Sequence, residues 1–129
     1  MNKLDRARQL QDRTKMFAVE VIRAFAVLPK VEAARIKGRQ FLRSGTSVAA
    51  NYRAASRARS KAEFIAKLGI VVEEADETLF WLDLLVDSAL VRPNVFQGLR
   101  NECNELVRIF SSSLATAKSN RSITHSPAR

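Results

Sequence analysis

The sequence predicts an all-α fold, an antiparallel up-down-up-down four-helix bundle. Apolar residues recur at helical spacing in four segments, separated by short breaks near Pro29, Ser60 and Pro93. No stretch shows the sustained alternation of apolar and polar residues that a half-buried strand would need. The 129 residues fit one domain, which we predict over residues 1–117, followed by a flexible basic C-terminal tail over 118–129.

The first two helices are predicted on either side of Pro29. The first begins near Asp12, a suitable N-cap, and its apolar series ends at Leu28. The second runs from about residue 32 to residue 58. Its core face is predicted to carry Phe41, Gly45, Val48, Tyr52 and Ala55. A glycine inside a helix costs up to about 1 kcal/mol relative to alanine, so Gly45 indicates that a neighbouring helix approaches closely there.

The third helix is predicted to begin at Ser60, because Ser60 and Glu63 have the spacing of a capping box before an apolar run. The fourth follows the break near Pro93. The core series predicted for the third helix is Phe64, Leu68, Val72, Ala75, Leu79, Leu82 and Val86. The series predicted for the fourth is Leu99, Cys103, Leu106, Phe110 and Leu114.

The motifs of the common enzyme and metal-site classes are absent from the sequence. One cysteine, Cys103, and one histidine, His125, cannot build a structural zinc site in a single chain. The Glu-x-x-His pairs of di-iron bundles, a complete Walker loop and a Gly-x-Ser-x-Gly elbow are all missing. We therefore expect no cofactor and no enzymatic activity. The sequence also lacks an apolar run long enough for a membrane span, which predicts a cytoplasmic protein.

The charge is strongly asymmetric along the chain. The net charge is +9, with +10 in residues 1–59 and −4 in residues 60–117. On a helical wheel, five arginines of the second helix fall within about 80° of arc and span about 33 Å. They are Arg35, Arg39, Arg43, Arg53 and Arg57. Because guanidinium groups bind phosphate in a bidentate way, this row predicts a surface that contacts the phosphates of RNA or DNA.

A second interpretation of the same row remains open. Asp76, Asp83 and Asp87 of the third helix fall within about 40° of arc and offer the arginines a protein partner. Pairing within a subunit or between subunits would then make the protein an interaction scaffold rather than a nucleic-acid-binding protein.

The third helix is apolar almost all the way round near its end. The predicted core series leaves four residues unassigned, which point to the two sides of that series: Phe80, Trp81, Leu84 and Leu85. Either neighbouring helices and the link near Pro93 cover them, or they form a homo-oligomer interface centred on Trp81.

Three segments resemble a known family in order and spacing. They are Gly-Thr-Ser-Val from Gly45, Arg-Ser-Lys-x-Glu-Phe-Ile from Arg59, and Glu-Thr-x-x-Trp-Leu from Glu77. They resemble the four-helix bundle proteins encoded by intervening sequences in bacterial 23S ribosomal RNA genes, which have a structural relative in the accessory protein of diversity-generating retroelements. The resemblance covers roughly residues 12–117. It implies a homopentamer, nucleic acid as a partner and, through the accessory protein, a reverse transcriptase; it implies no catalytic residues.

Overall fold

The computed structural model describes residues 2–124, with side chains through residue 120. It contains four helices: α1 (Lys3–Ala26), α2 (Glu32–Ser56), α3 (Lys61–Asp87) and α4 (Gln97–Thr124). Each helix packs on its neighbours around the bundle, with the sparsest contact between α1 and α4. Across one diagonal, the Tyr52 ring of α2 lies 5.1 Å from the Phe110 ring of α4. Residues 2–124 contain no strand, so the predicted antiparallel four-helix bundle is confirmed.

Helix α1 begins nine residues before the predicted start. Its N-cap is Asn2, whose side-chain oxygen accepts a hydrogen bond from the backbone N–H of Asp5 at 2.8 Å. The prediction of a start near Asp12 was wrong because it placed the N-cap next to the apolar run. The mostly polar segment before that run continues the helix, and of its apolar residues only Leu10 packs against the core.

The predicted core face of α2 is confirmed, since all five of its residues are buried. Gly45 lies against Val21 of α1, where an added Cβ atom would come within 2.7 Å of both Val21 methyl groups. Gly38 lies in the same way against Leu28. These glycines let α1 and α2 approach closely, as the placement of Gly45 inside the helix indicated.

Helix α3 begins as predicted, with the Ser60 hydroxyl accepting a hydrogen bond from the N–H of Glu63 at 3.0 Å. Its buried face is turned relative to the predicted one. The buried residues are Ile65, Leu68, Val71, Ala75, Thr78, Leu82, Leu85 and Val86. The predicted core residues Phe64, Val72 and Leu79 are only partly buried.

The rotation of α3 about its own axis, which sets its buried face, has a polar cause as well as an apolar one. The Thr78 hydroxyl lies 2.9 Å from the Ser44 hydroxyl of α2 and 2.6 Å from the Glu74 carbonyl oxygen. A prediction based on apolar residues passes over Thr78. The buried hydrogen bond nevertheless holds this residue at the α2–α3 contact.

Helix α4 extends past the predicted domain boundary at residue 117. The helix continues to Thr124, so residues 118–124 of the predicted tail are helical. The remaining tail residues, 125–129, lie outside the described part of the chain. On α4 the predicted core residues Cys103, Leu106 and Phe110 are fully buried.

Candidate nucleic-acid interface

The five predicted arginines form one exposed ridge along α2 and its C-cap residue Arg57, called the arginine face below. The opposite side of the same helix holds the buried residues between Phe41 and Ala55. Burial of that side fixes the rotation of α2, so all five arginine side chains are exposed. The arginine face consists of Arg35, Arg39, Arg43, Arg53 and Arg57.

Within residues 2–120, one member of the arginine face has an acidic partner. Arg43 pairs with Glu74 of α3 at 3.2 Å and makes a shorter contact with Glu77. Among residues 2–120, the other four arginines form no ion pair. The sequence offered no sign that Arg43 differs from its neighbours, although Glu74 and Glu77, three residues apart on α3, present two carboxylates to one side.

The aspartates proposed as partners of the arginines do not pair with them inside the chain. Asp83 pairs with Arg100 of α4 at 2.8 Å. Asp76 and Asp87 are exposed and form no ion pair within residues 2–120. Within residues 2–120 of one subunit, the arginine face therefore pairs with glutamates rather than with the three aspartates, and Arg43 is the member that does so.

The predicted interface residues of α3 separate into different environments. Phe80 is 55% exposed, and Leu84 is partly buried. Trp81 is also partly buried, and the Lys37 ammonium group of α2 lies 5.9 Å from the centre of its ring. The indole N–H of Trp81 is buried and has no hydrogen-bond partner in the described part of the chain. Leu85 is only 1% exposed. Its assignment to a subunit contact is corrected, because the turned core face of α3 buries Leu85 inside the protomer.

The outer face of α3 combines acidic residues with one large aromatic ring. Four exposed side chains fall within about 60° of arc on the helical wheel and are called the α3 outer face below. They are Glu73, Asp76, Phe80 and Asp87. This face is an apolar point surrounded by negative charge, and it cannot bind a polyanion.

Arg13 of α1 forms ion pairs with α4 and so does not add to the basic surface of the protein. Arg13 donates hydrogen bonds to both carboxylate oxygens of Glu102, at 2.7 and 2.8 Å, and lies 3.0 Å from Glu105. These hydrogen bonds raise the pKa of the Arg13 guanidinium. A cavity of about 310 Å³ lies beside this cluster, lined on α4 by Gly98 and Leu99. Arg13 therefore joins the two helices that pack most sparsely.

The structure places Cys103 where catalysis is unfavourable. The thiol is fully buried, and burial raises its pKa to about 12. Among the described residues, no group of three or more His, Cys, Asp or Glu side chains could hold a metal ion. No described helix is long and apolar enough to cross a membrane.

Comparison with known proteins assigns this chain to a family. The sequence profile of the 23S rRNA-intervening sequence protein family matches residues 7–112. The chain belongs to that family. The intervening-sequence protein is also similar to a crystal structure from Bacteroides thetaiotaomicron, described as a protein of unknown function from the S23 ribosomal protein family. The two share 32% identity over 84% of this chain and 97% of the other, with a TM-score of 0.78. No curated protein matches the chain significantly.

Proposed function

We propose that this intervening-sequence protein is a non-enzymatic, cytoplasmic nucleic-acid-binding protein that contacts phosphates through the arginine face. The observation that carries the proposal is that Arg35, Arg39, Arg53 and Arg57 are exposed and form no ion pair within residues 2–120. Unpaired guanidinium groups carry their full charge to a ligand, whereas a paired one must first give up its partner.

The dimensions of the arginine face suit a duplex backbone. The face spans about 33 Å, and duplex DNA carries one phosphate charge per roughly 1.7 Å of axis, so every arginine can reach a phosphate. An exposed row of cations attracts the phosphates of any sequence alike. We therefore propose binding governed by the backbone, with little sequence specificity.

We further propose that the protein acts as a homo-oligomer, a pentamer if it follows the family that it resembles. Several arginine faces on one particle would raise the effective affinity for a long nucleic acid without any new type of contact. Phe80 supports this part of the proposal, because an exposed aromatic side chain within an otherwise polar surface is a common anchor of an interface. A reverse transcriptase partner, implied by the retroelement accessory protein alone, stays a prediction.

A second candidate function is a protein-interaction scaffold in which the arginines pair between subunits. The observation that favours it is the exposed, unpaired state of Asp76 and Asp87 within residues 2–120. In this alternative, the arginine face of one copy meets the α3 outer face of the next copy. Neutralising the arginines would then break the oligomer.

The experiment that separates the two candidates is a fluorescence-anisotropy titration of RNA and duplex DNA with Arg39→Gln/Arg53→Gln/Arg57→Gln, run beside a mass measurement in solution. We expect affinity at low salt to fall by about 100-fold or more, because three phosphate contacts are lost, with an unchanged mass. A matched control, Lys61→Gln/Arg92→Gln/Arg108→Gln, removes the same charge at exposed positions outside the arginine face, none of them on α2.

The control decides whether position or total charge matters. Full binding by the α2 triple variant, or equal weakening by both triple variants, would contradict the phosphate-binding role of the arginine face. Dissociation of the α2 variant into smaller species would favour the scaffold instead.

A further inference from the structure

A concave pocket lies at the end of the bundle where α1 passes into α2. Its volume is about 150 Å³, much smaller than a site for a drug-sized ligand. Four of its lining residues are apolar and two are cationic, and none is acidic. They are Phe25, Ala26, Leu28, Pro29, Lys30 and Arg35.

Local chain geometry explains why a pocket forms at this point. Pro29 ends the helical run, and Gly38 has no side chain to hold the link away from α2. A Cβ atom at position 38 would lie 2.5 Å from the Leu28 Cδ1 atom and 3.3 Å from the Phe25 ring. The link therefore folds closely over the first turns of α2, and Phe25 remains only partly buried.

The pocket is continuous with the arginine face, because Arg35 belongs to both. A nucleic acid strand that runs along α2 and reaches Arg35 arrives at the mouth of the pocket. The two cations of the lining suit a phosphate, while its apolar part, which includes the Phe25 ring, suits a flat ring. Single-stranded nucleic acids are bound in this general way, by bases placed on aromatic or guanidinium groups beside a basic groove.

We propose that this pocket receives one unpaired nucleobase of the strand whose phosphates lie along the arginine face. The inference rests on the proposed function and narrows its ligand to nucleic acid with a single-stranded segment or end. A base inside a duplex stays stacked and paired, so a fully paired duplex would use the arginine face and leave the pocket unused.

The test compares two single-stranded DNA probes of equal charge: a twelve-nucleotide oligo(dA), and a twelve-unit strand in which tetrahydrofuran spacers replace every base. Stacking on an aromatic side chain contributes roughly 1–3 kcal/mol per base. We therefore expect the wild-type chain to bind oligo(dA) about fivefold or more tightly than the abasic strand. Ala26→Leu fills part of the pocket and should abolish this preference while leaving affinity for the abasic strand unchanged.

Two further variants keep the result interpretable. Ala115→Leu adds the same side chain at an exposed position of α4, and it should retain the preference. Phe25→Leu keeps an apolar side chain but removes the aromatic ring, so it should reduce the preference with the fold verified by circular dichroism.

The outcomes distinguish the pocket from the arginine face. Equal affinity of the wild-type chain for both probes, or an undiminished preference in Ala26→Leu, overturns the pocket and leaves the proposed function standing. Absence of binding to both probes at low salt overturns the pocket, and absence of binding to duplex DNA as well contradicts the proposed function.

Discussion

The outer faces of α2 and α3 lie side by side on the bundle and have opposite character. The α2 face carries five arginines, whereas the α3 outer face carries three acids around Phe80. Despite this proximity the two faces form no ion pair with one another within residues 2–120. Arg43 pairs instead with Glu74 and Glu77, which lie on the side of α3 next to α2. Two adjacent helices with opposite charge therefore keep two separate surfaces, one suited to a polyanion and the other to a protein.

The largest effect expected from the comparison is on self-association through the α3 outer face. Phe80→Ser removes the exposed ring, and because Phe80 is 55% exposed the protomer should stay folded. If the ring anchors a subunit contact, the dissociation constant should rise by about 30-fold or more, as for a hot-spot residue of about 2 kcal/mol. Analytical ultracentrifugation over a concentration series measures this shift.

Val95→Ser serves as the control for Phe80→Ser. Val95 is exposed to a similar degree in the link before α4, and its replacement should leave the mass distribution unchanged. An oligomer that survives Phe80→Ser intact would remove the α3 outer face from the account of assembly.

The second-largest effect is expected on the free energy of unfolding, and it compares Gly45 on the buried side of α2 with Gly69 on α3. Gly45→Ala pushes a methyl group against Val21, a stiff β-branched side chain. Overpacking costs about 1–3 kcal/mol and exceeds the gain of up to about 1 kcal/mol in helix propensity. Gly69→Ala meets no atom within 4 Å, so propensity alone should stabilise that variant by about 0.5–1 kcal/mol. Urea unfolding of both variants tests the difference, and a shift of the same sign in both would contradict it.

The third effect concerns the ion pairs that Arg43 of the arginine face makes with Glu74 and Glu77 of α3. Glu74→Gln/Glu77→Gln frees Arg43, which should then contact a phosphate of its own. We expect affinity for duplex DNA to rise by about tenfold and its salt dependence to steepen by about one phosphate. Glu73→Gln/Asp87→Asn removes the same charge from exposed residues without an ion pair within residues 2–120. An equal gain in this control would mean that net charge, rather than the release of Arg43, sets the affinity.

The smallest effect is expected on stability from substitutions just after α2 and α3, because only the residue after α3 has a left-handed backbone among the two positions compared. After α3, Ala89 has φ of 62°, and the N–H of Leu90 donates to the Leu85 carbonyl at 3.2 Å. This left-handed cap favours glycine, so Ala89→Gly should stabilise the fold by about 0.5–1 kcal/mol. Ala58 follows α2 without a positive φ, and Ala58→Gly should be neutral or destabilising. Thermal unfolding compares the two, and a loss of stability in Ala89→Gly would disagree with the strained cap.

Sequence periodicity predicted the four helices and the rotation of α2, because large buried residues and Gly45 lie on one side of that helix. Sequence periodicity did not predict the rotation of α3 about its axis. Side chains that pack between gently crossing helices repeat every 3.5 residues, so a wheel of 3.6 residues per turn drifts along a long helix. Buried Thr78 adds a polar contact that an apolar pattern does not register. These two causes together place Leu85 inside the core rather than on the surface.

The sequence predicted which arginines are exposed on the candidate site, but it did not predict which of them form ion pairs. Burial of the opposite side of α2 exposes all five arginines, which the wheel indicated. Whether each arginine is paired depends on where a neighbouring helix places its acids. For Arg43 that placement follows from the rotation of α3, which brings Glu74 and Glu77 to the α2 side.

The central claim is that the arginines outside the Arg43 pair are available to phosphate, and salt dependence tests it most directly. A 10-base-pair DNA duplex is about 34 Å long, close to the length of one arginine face, so it should engage a single face. We expect log Kd to change with log salt concentration with a slope of roughly 3 to 4 for four contacts. The Arg39→Gln/Arg53→Gln/Arg57→Gln variant should lose about 2 to 3 of that slope. A slope near zero in the wild-type chain, or one unchanged in the variant, would contradict the account.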